Sequence, residues 1–271
     1  MRPNKVKALW REGKAVTVGW QSTPDTYVTE ALAHAGFDAL VLDMQHGMGI
    51  GPDRAAVWLQ VVSSTETVPF VRVPWNEPVF IQWALDAGAY GVIVPLVNNL
   101  EEATQAARAA RYAPQGFRSV GPNRVRLYAG ADYVENANDE IVCLVMIEHP
   151  DSVAKMEEIV KAPGIDGFYI GPSDLAVAMG LSASTGQNDP RHQQACQRVL
   201  DVARAHGLVA GIHCGGPEQA AQRFAQGFSF CPLGSDVGFV SGGAQAALTT
   251  VRQATPDRVS LPGQRSTTAG Y

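Results

Sequence analysis

Short runs of apolar, often β-branched residues recur along the whole chain and are separated by longer segments with helical spacing. Each run is continuous rather than alternating, which is typical of parallel strands that are covered on both faces. The eight runs occupy residues 15–20, 38–43, 68–73, 90–97, 141–148, 166–171, 208–214 and 228–233. Helices are predicted at 23–36, 51–62, 77–88, 99–114, 149–164, 189–207 and 216–227, and several open near Pro and close on Gly.

Strands that alternate with helices throughout a chain predict a (β/α)8 TIM barrel, with a doubly wound open sheet as the alternative. No linker or composition shift divides the sequence, so residues 1–255 are predicted to form one barrel domain, with a final helix at 244–254. Residues 115–140 form a long polar excursion between the fourth and fifth strands, and long loops of this kind are usually functional or interacting. Residues 256–271 are predicted to be a flexible tail.

Composition and charge narrow the functional classes. Charged residues make up 17% of the chain, below the roughly 25% usual for a globular domain, which hints at surface hidden in an oligomer. The net charge of -5 and the lack of a Lys/Arg cluster argue against a nucleic-acid partner. No apolar segment suited to a signal peptide or a membrane span occurs, so a cytoplasmic protein is expected. The four widely spaced cysteines are expected to be buried, reduced thiols.

Polar side chains gather where predicted strands end. They are Asp43, Gln45 and His46 after the second strand, Arg72 on the third, Glu148 at the end of the fifth, and Asp174 after the sixth. Because the carboxyl ends of barrel strands face one shared mouth, all of these residues are expected on the same rim.

Glu148 and Asp174 are candidate metal ligands because neighbouring strands would bring their carboxylates together. Two such charges repel each other in a partly desolvated mouth, and a divalent cation offsets that repulsion. Two protein oxygens suit Mg²⁺ or Mn²⁺ with open positions for water and substrate, and Co²⁺, Ni²⁺ and Zn²⁺ are alternatives. The structural alternatives are a rim salt bridge for Glu148 and a helix N-cap for Asp174.

Arg72 and His46 supply the remaining chemistry. The guanidinium of Arg72 suits a substrate carboxylate or an internal ion pair with Asp43, and both hold if Asp43 orients it. His46 can accept a proton near neutral pH, although a lone histidine is more often structural. A metal that binds a 2-oxo acid would stabilise its enolate after a base removes the C3 proton, which predicts carbon–carbon bond making or breaking.

Five motifs, "LDMQHG", "FVRVPWNEP", "LDAGAYGVIVPLVNN", "MIEHP" and "DGFYIGPSDLAVAMG", occur in this order. They resemble those of the HpcH/HpaI family of class II, metal-dependent pyruvate aldolases, and the similarity runs from about residue 7 to about residue 250. The resemblance implies a barrel in a homohexamer of dimers that exchange the last helix, and cleavage of 4-hydroxy-2-oxo acids to pyruvate and an aldehyde.

The resemblance also implies roles for individual residues. Glu148 and Asp174 would hold the metal, Arg72 would bind the substrate and stabilise the enolate, and His46 would be the acid/base. The amides and hydroxyl of the segment Gly171, Pro172 and Ser173 would hold the substrate carboxylate. Asp86 would raise the basicity of the histidine, but it lies at a helix end on the opposite face of its own barrel. We therefore expect contact across a subunit boundary, with a helix-terminal aspartate as the structural alternative.

Two positions depart from the family pattern. Gln45 stands where the family commonly has Glu, and Met146 stands where many members have a glutamine that donates to the substrate oxygen. The loss of that donor would admit another donor acid, such as hydroxypyruvate, and the sequence resembles a hydroxyketoacid-aldolase branch. His213 and Cys214 are candidates for selectivity at the end of the seventh strand, although packing is the favoured interpretation there.

Other functions are consistent with parts of the sequence. The glycine-bearing turns "HCGGPEQ" and "LGSDVG" follow the last two strands, where many barrels bind phosphate, so a phosphosugar isomerase is one alternative. That interpretation leaves Glu148 and Asp174 unexplained. A lyase acting on an acyl-CoA ester would require a basic patch that the sequence lacks. A catalytically silent barrel that acts as a binding subunit is the non-enzyme alternative.

Overall fold

The computed structural model describes residues 1–255 and 258. Eight parallel strands close into a barrel in which each strand pairs with the next and β8 pairs with β1. The strands are β1 (Val16–Gln21), β2 (Ala39–Asp43), β3 (Val68–Arg72), β4 (Gly91–Val94), β5 (Val142–Ile147), β6 (Gly167–Ile170), β7 (Val209–Ile212) and β8 (Phe230–Ser235). The predicted (β/α)8 barrel and all eight strands are therefore confirmed.

Helices connect the strands in the described part of the chain. They are α1 (Lys5–Arg11), α2 (Thr26–Ala33), α3 (Pro52–Val62), α4 (Pro78–Ala87), α5 (Leu100–Ala110), α6 (Asn123–Ala129), α7 (Tyr133–Glu140), α8 (Pro150–Ala154), α9 (Met156–Ile159), α10 (Pro172–Ala178), α11 (Pro190–Ala205), α12 (Pro217–Gln226) and α13 (Asp236–Ala254). A 3-10 turn occupies Gly186–Asn188. Pro at the first helical position of α3, α4, α10, α11 and α12 suits a position whose N–H needs no helical partner.

The segment 115–140 is not the polar loop that its composition predicts. It contains α6 and α7, each of which buries a few side chains, such as Val125 and Tyr133, beneath an otherwise polar surface. The predicted helix 149–164 is also wrong in detail, because it divides at Lys155 into α8 and α9.

The last helix is much longer than predicted, because α13 begins at Asp236 rather than at residue 244. From Val237 onward the chain forms a unit separate from Met1–Asp236. Within that unit, Val240, Leu248 and Val251 are at least half exposed. The predicted tail at 256–271 lies, apart from Arg258, outside the described residues.

Strand register fixes which side chains reach the mouth. Asp43 ends β2 directly opposite Arg72 at the end of β3, and Ile147 of β5 pairs with Ile170 of β6. Glu148 and Gly171 follow those two paired residues, so they lie at the same level of the barrel. Deeper in the barrel, Phe70, Tyr169 and Phe230 pack ring against ring.

The sequence also predicts buried, reduced cysteines and no segment that spans a membrane. All four cysteines are buried and free, as expected. Among the described residues no helix is both long and apolar enough to cross a bilayer.

Candidate active site

A cavity of about 290 Å³ opens at the carboxyl ends of the strands. Most of the predicted site residues line it: Asp43, His46, Arg72, Met146, Gly171, Pro172, Ser173 and Asp174. Trp20, Ser22, His213 and Ser235 complete the wall. The prediction that several strand ends share one rim is thus confirmed, whereas the chemical roles of the residues stay predictions.

Asp43 and Arg72 form a buried ion pair at the base of this cavity. Arg72 Nε donates to Asp43 Oδ1 at 2.9 Å, and its Nη2 donates to Oδ2. Asp43 also accepts from Trp20 Nε1 at 3.2 Å and from the backbone N–H groups of Gln45 and His46. Burial opposes ionisation of Asp43, but Arg72 and these donors outweigh it and hold the carboxyl pKa below 3.8. The guanidinium is therefore held in one orientation beside the cavity.

His46 lies in the turn after β2 and is exposed to the cavity. Its backbone N–H donates to Asp43 Oδ1 at 3.1 Å, whereas its ring has no hydrogen-bond partner among the described residues. The turn requires a residue without a side chain at Gly47, because a Cβ there would lie 2.2 Å from the carbonyl oxygen of Asp43. The imidazole is therefore held at the mouth by its backbone while its ring nitrogens remain available to a substrate.

Glu148 is buried just behind the cavity wall, with 5% of its surface exposed. The backbone N–H of Leu96 donates to its Oε1 at 2.7 Å. Leu96 adopts a φ of 59°, an uncommon left-handed conformation for a residue with a side chain. A Cβ at Gly171 would lie 2.7 Å from Glu148 Oε2, so glycine is needed for the carboxylate to approach the mouth.

Asp174 lies in the first turn of α10 and is exposed at the cavity. Gly171 is the N-cap of this helix, so the alternative that Asp174 serves as the N-cap is wrong. Burial raises the pKa of Glu148 above 4.5, and the nearby charge of Asp174 raises it further, while the Leu96 N–H partly offsets both effects. The two carboxylates thus lie close enough to repel each other.

The donor set fits a divalent cation. Glu148 and Asp174 both carry hard oxygen donors, and the nearest strong cation, Arg72, is already paired with Asp43. Neither Glu148 nor Asp174 forms a salt bridge among the described residues, which contradicts the alternative of a rim salt bridge for Glu148. No group of three or more His, Cys, Asp or Glu side chains suited to a metal occurs in the described part of the chain. Such a cation would therefore need ligands from water or substrate besides these two carboxylates.

Aromatic residues form the part of the cavity wall beside Arg72. The Trp20 ring lies 5.0 Å from the Arg72 guanidinium carbon and stacks on Tyr169. His213 packs edge-on against Trp20, and its Nδ1 is 3.1 Å from the Tyr169 hydroxyl. Burial and the charge of Arg72 lower the pKa of His213 to about 4, so its ring is neutral near pH 7. The sequence had favoured simple packing for His213, but the structure places it in the cavity wall.

Asp86 and Gln45 do not line the cavity. Asp86, at the far end of α4, accepts from Arg118 Nη2 at 2.6 Å, and the Arg118 side chain is fully buried against Tyr112 and Tyr133. This pairing fits the alternative of a structural, helix-terminal aspartate. Gln45 is half-buried, and its Oε1 has no hydrogen-bond partner in the described part of the molecule.

The chain is similar in sequence to known aldolases. Residues 17–242 match the family model described as HpcH/HpaI aldolase/citrate lyase. A hydroxypyruvate/pyruvate aldolase of Rhizorhabdus wittichii is 38% identical over 249 residues, which cover 92% of this chain and 99% of that protein. A 5-keto-4-deoxy-D-glucarate aldolase of an Enterobacter species is 36% identical over 249 residues, with 90% and 94% coverage.

A solved structure is also similar. The crystal structure of an HpcH/HpaI aldolase/citrate lyase family protein from Burkholderia cenocepacia superposes with a TM-score of 0.85 at 30% identity. The match covers 92% of this chain and 99% of that one. These matches, together with the fold, show that the chain belongs to the HpcH/HpaI aldolase/citrate lyase family.

Proposed function

We propose that this protein is a divalent-metal-dependent aldolase that cleaves or forms 4-hydroxy-2-oxo acids, using pyruvate or hydroxypyruvate and an aldehyde. The observation that carries the proposal is the pair Glu148 and Asp174, which follow neighbouring strands, and in which the charge of Asp174 helps to raise the pKa of Glu148. The aldolase activities for which the relatives from Rhizorhabdus and Enterobacter are named support the same reaction class.

Glu148 and Asp174 would hold the cation. Their hard oxygens favour Mg²⁺ or Mn²⁺, with Co²⁺, Ni²⁺ and Zn²⁺ as alternatives. A cation bound there supplies a Lewis acid that favours the enolate over the oxo acid. The Leu96 N–H and the bare Cα of Gly171 would fix the Glu148 carboxylate in place without blocking it.

Arg72 binds the oxo acid in this proposal. Its Nε and Nη2 are used by Asp43, so Nη1 is the donor nitrogen left for a substrate oxygen. Asp43 therefore acts as a positioning residue, and the Trp20 ring beside the guanidinium limits its movement. The backbone and hydroxyl of Gly171, Pro172 and Ser173, which line the same cavity, would contact the substrate carboxylate.

His46 is the proposed acid/base. It removes the C3 proton of the oxo acid to form the enolate and returns a proton to the product oxygen when the carbon–carbon bond is made. Asp86 can assist His46 only from a second subunit, because within its own chain it is engaged by Arg118 at the other end of the barrel. Its pairing with Arg118 would also weaken any increase in basicity that it could cause.

Met146 would influence the choice of donor acid. Met146 lines the cavity but offers no N–H or O–H donor to a substrate oxygen. The loss of such a donor would admit hydroxypyruvate, which carries a hydroxyl on C3, as a donor besides pyruvate. Gln45 lies outside the lining of the cavity, so it would influence the substrate only by removing the charge that a glutamate would place near the site.

The proposed assembly is a homohexamer of dimers that exchange the last helix. Exposed apolar side chains on α13, at Val240, Leu248 and Val251, and the low charge content of the chain support an interface there. Light scattering coupled to gel filtration should give the mass of six chains at micromolar concentration. A single-chain mass would contradict both the exchange and any role for Asp86 at His46.

Deuterium exchange at the methyl group of pyruvate tests the proposed function. Proton NMR should show the methyl signal fading in D₂O when Mg²⁺ or Mn²⁺ is present and persisting when EDTA is present. His46→Ala should slow this exchange about 100- to 10,000-fold. Absence of exchange with every divalent metal would leave the catalytically silent barrel as the better account, and a normal rate in His46→Ala would require another base.

A further inference from the structure

A second cavity, of about 700 Å³, lies next to the candidate active site. Its wall is built mainly from α11, α12 and the segment between α10 and α11. Pro172, Ser173 and His213 line both this cavity and the smaller one at the mouth. The two cavities are therefore adjacent, with these three residues at their boundary.

Side-chain amides dominate the wall of this larger cavity. They include Gln187, Gln193, Gln194, Gln219, Gln222 and Gln226. No Asp or Glu is among its described lining residues, and Arg223 is the one lysine or arginine in that set. An amide offers both donors and acceptors, which is what a chain of hydroxyl groups requires.

A hydrogen-bonded chain links these amides to the mouth. Gly215 N–H donates to Gln219 Oε1 at 2.8 Å, and Gln219 Nε2 donates to Gln187 Oε1 at 3.3 Å. Gln187 Nε2 in turn donates to Ser173 Oγ, also at 3.3 Å. Each amide nitrogen has two protons and each amide oxygen two lone pairs, so both amides keep an unused donor and acceptor. The chain therefore presents alternating donors and acceptors just beyond the mouth.

His213 stands where the two cavities meet. Its Nδ1 is engaged by the Tyr169 hydroxyl, and its ring is held edge-on by Trp20. Nε2 is the ring nitrogen left for a ligand, since it has no hydrogen-bond partner among the described residues. An aldehyde that passes this point meets a polar group at the junction and then the amides of Gln187 and Gln219.

We propose that the larger cavity, entered past His213 and lined by Gln187 and Gln219, holds the hydroxylated chain of the acceptor aldehyde. The enzyme then prefers polyhydroxylated aldehydes with a carbon chain long enough to pass His213 over apolar aldehydes of the same length. This inference rests on the proposed aldolase function and adds the chemical class of the acceptor. The amide-lined cavity takes no part in the enolisation of the oxo acid and so remains available to bind the acceptor.

Matched acceptor aldehydes test the inference with the full-length enzyme, pyruvate and Mn²⁺. The ratio of kcat/KM for D-erythrose to kcat/KM for butanal, each corrected for the free aldehyde, should exceed one in the wild type. In the variant Gln187→Leu/Gln219→Leu this ratio should fall about tenfold, because two hydrogen bonds of modest strength are lost. Gln60→Leu, which changes an exposed glutamine of α3, is the matched control and should keep the wild-type ratio.

The outcomes separate this inference from the proposed function. An unchanged ratio in the double variant, or an equal loss with both aldehydes, overturns the hydroxyl-binding role and leaves the cavity as a solvent-filled groove. A wild-type ratio of one or less overturns it as well. Pyruvate methyl exchange is measured on the same wild-type sample: if it is normal, only the acceptor inference fails, and if it is absent, the proposed function fails.

Discussion

Replacing Glu148 by Gln tests two effects of its charge separately. One is the destabilisation of the metal-free protein, and the other is the contribution to metal binding. Glu148 is buried, and its ionised form is disfavoured by burial and by the charge of Asp174. The amide keeps the shape of the side chain and can still accept from the Leu96 N–H, but it carries no charge. In EDTA the variant should therefore unfold at the same temperature as the wild type or higher.

Adding metal should reverse the order of stability. A ligand at 100 times its Kd stabilises a folded protein by about 2.7 kcal/mol, which for a domain of this size raises Tm by roughly 5–10 °C. Wild type should show that rise with Mn²⁺, because two carboxylates share the ion. Glu148→Gln should show almost none, since it loses one of the two protein ligands.

Differential scanning fluorimetry with Mn²⁺ and with EDTA measures both effects. Glu157→Gln, which neutralises an exposed glutamate on α9, is the matched control and should behave like the wild type in both conditions. A metal-dependent rise of equal size in Glu148→Gln and the wild type would refute the assignment of Glu148 as a ligand. A large destabilisation of the variant in EDTA would refute the view that its charge is costly.

Three further changes test individual contacts. Gly171→Ala should weaken Mn²⁺ binding about 10- to 100-fold, because the new Cβ would overlap Glu148 Oε2. Titration calorimetry measures the affinity, and an unaltered affinity would contradict that contact. Asp43→Asn should lower the free energy of unfolding, measured in urea, by about 3–5 kcal/mol, because it leaves the Arg72 charge buried and unpaired. A loss below about 1 kcal/mol would contradict a stabilising role for this ion pair. The folded-state pKa of His213, about 4, lies below the ordinary histidine value of 6.5, so the unfolded state binds more protons between these values. The free energy of unfolding should fall by about 3 kcal/mol as pH drops through that window, and His213→Asn should flatten the curve; parallel curves would exclude this contribution.

The strands were predictable because each is buried on both faces and reads as an unbroken apolar run. The start of α13 and the segment 115–140 were harder to predict for physical reasons. Ser241, Gly242 and Gly243 lower helix propensity in the first half of α13, so a pattern search places its start too late. In α7, "YVENANDE" buries only Tyr133 and Ala137, which leaves too little periodicity to distinguish the helix from a polar loop.

Barrel topology also made part of the candidate site predictable from the sequence. Glu148, Asp174, Arg72 and His46 could be placed on one rim because barrel topology fixes where strand ends go. The contribution of Leu96 could not be predicted, since it acts through a backbone N–H and a left-handed φ that its side chain does not signal. Trp20 reads as an ordinary strand residue until the closed barrel places its ring against Arg72 and His213.

A manganese anomalous difference map from soaked crystals tests the central claim most directly. The account predicts one strong peak within coordination distance of both Glu148 and Asp174, with further positions open to water or an oxo acid. A map with no peak there, or with the two carboxylates turned away from each other, would contradict the metal-dependent aldolase and leave only the barrel and its family.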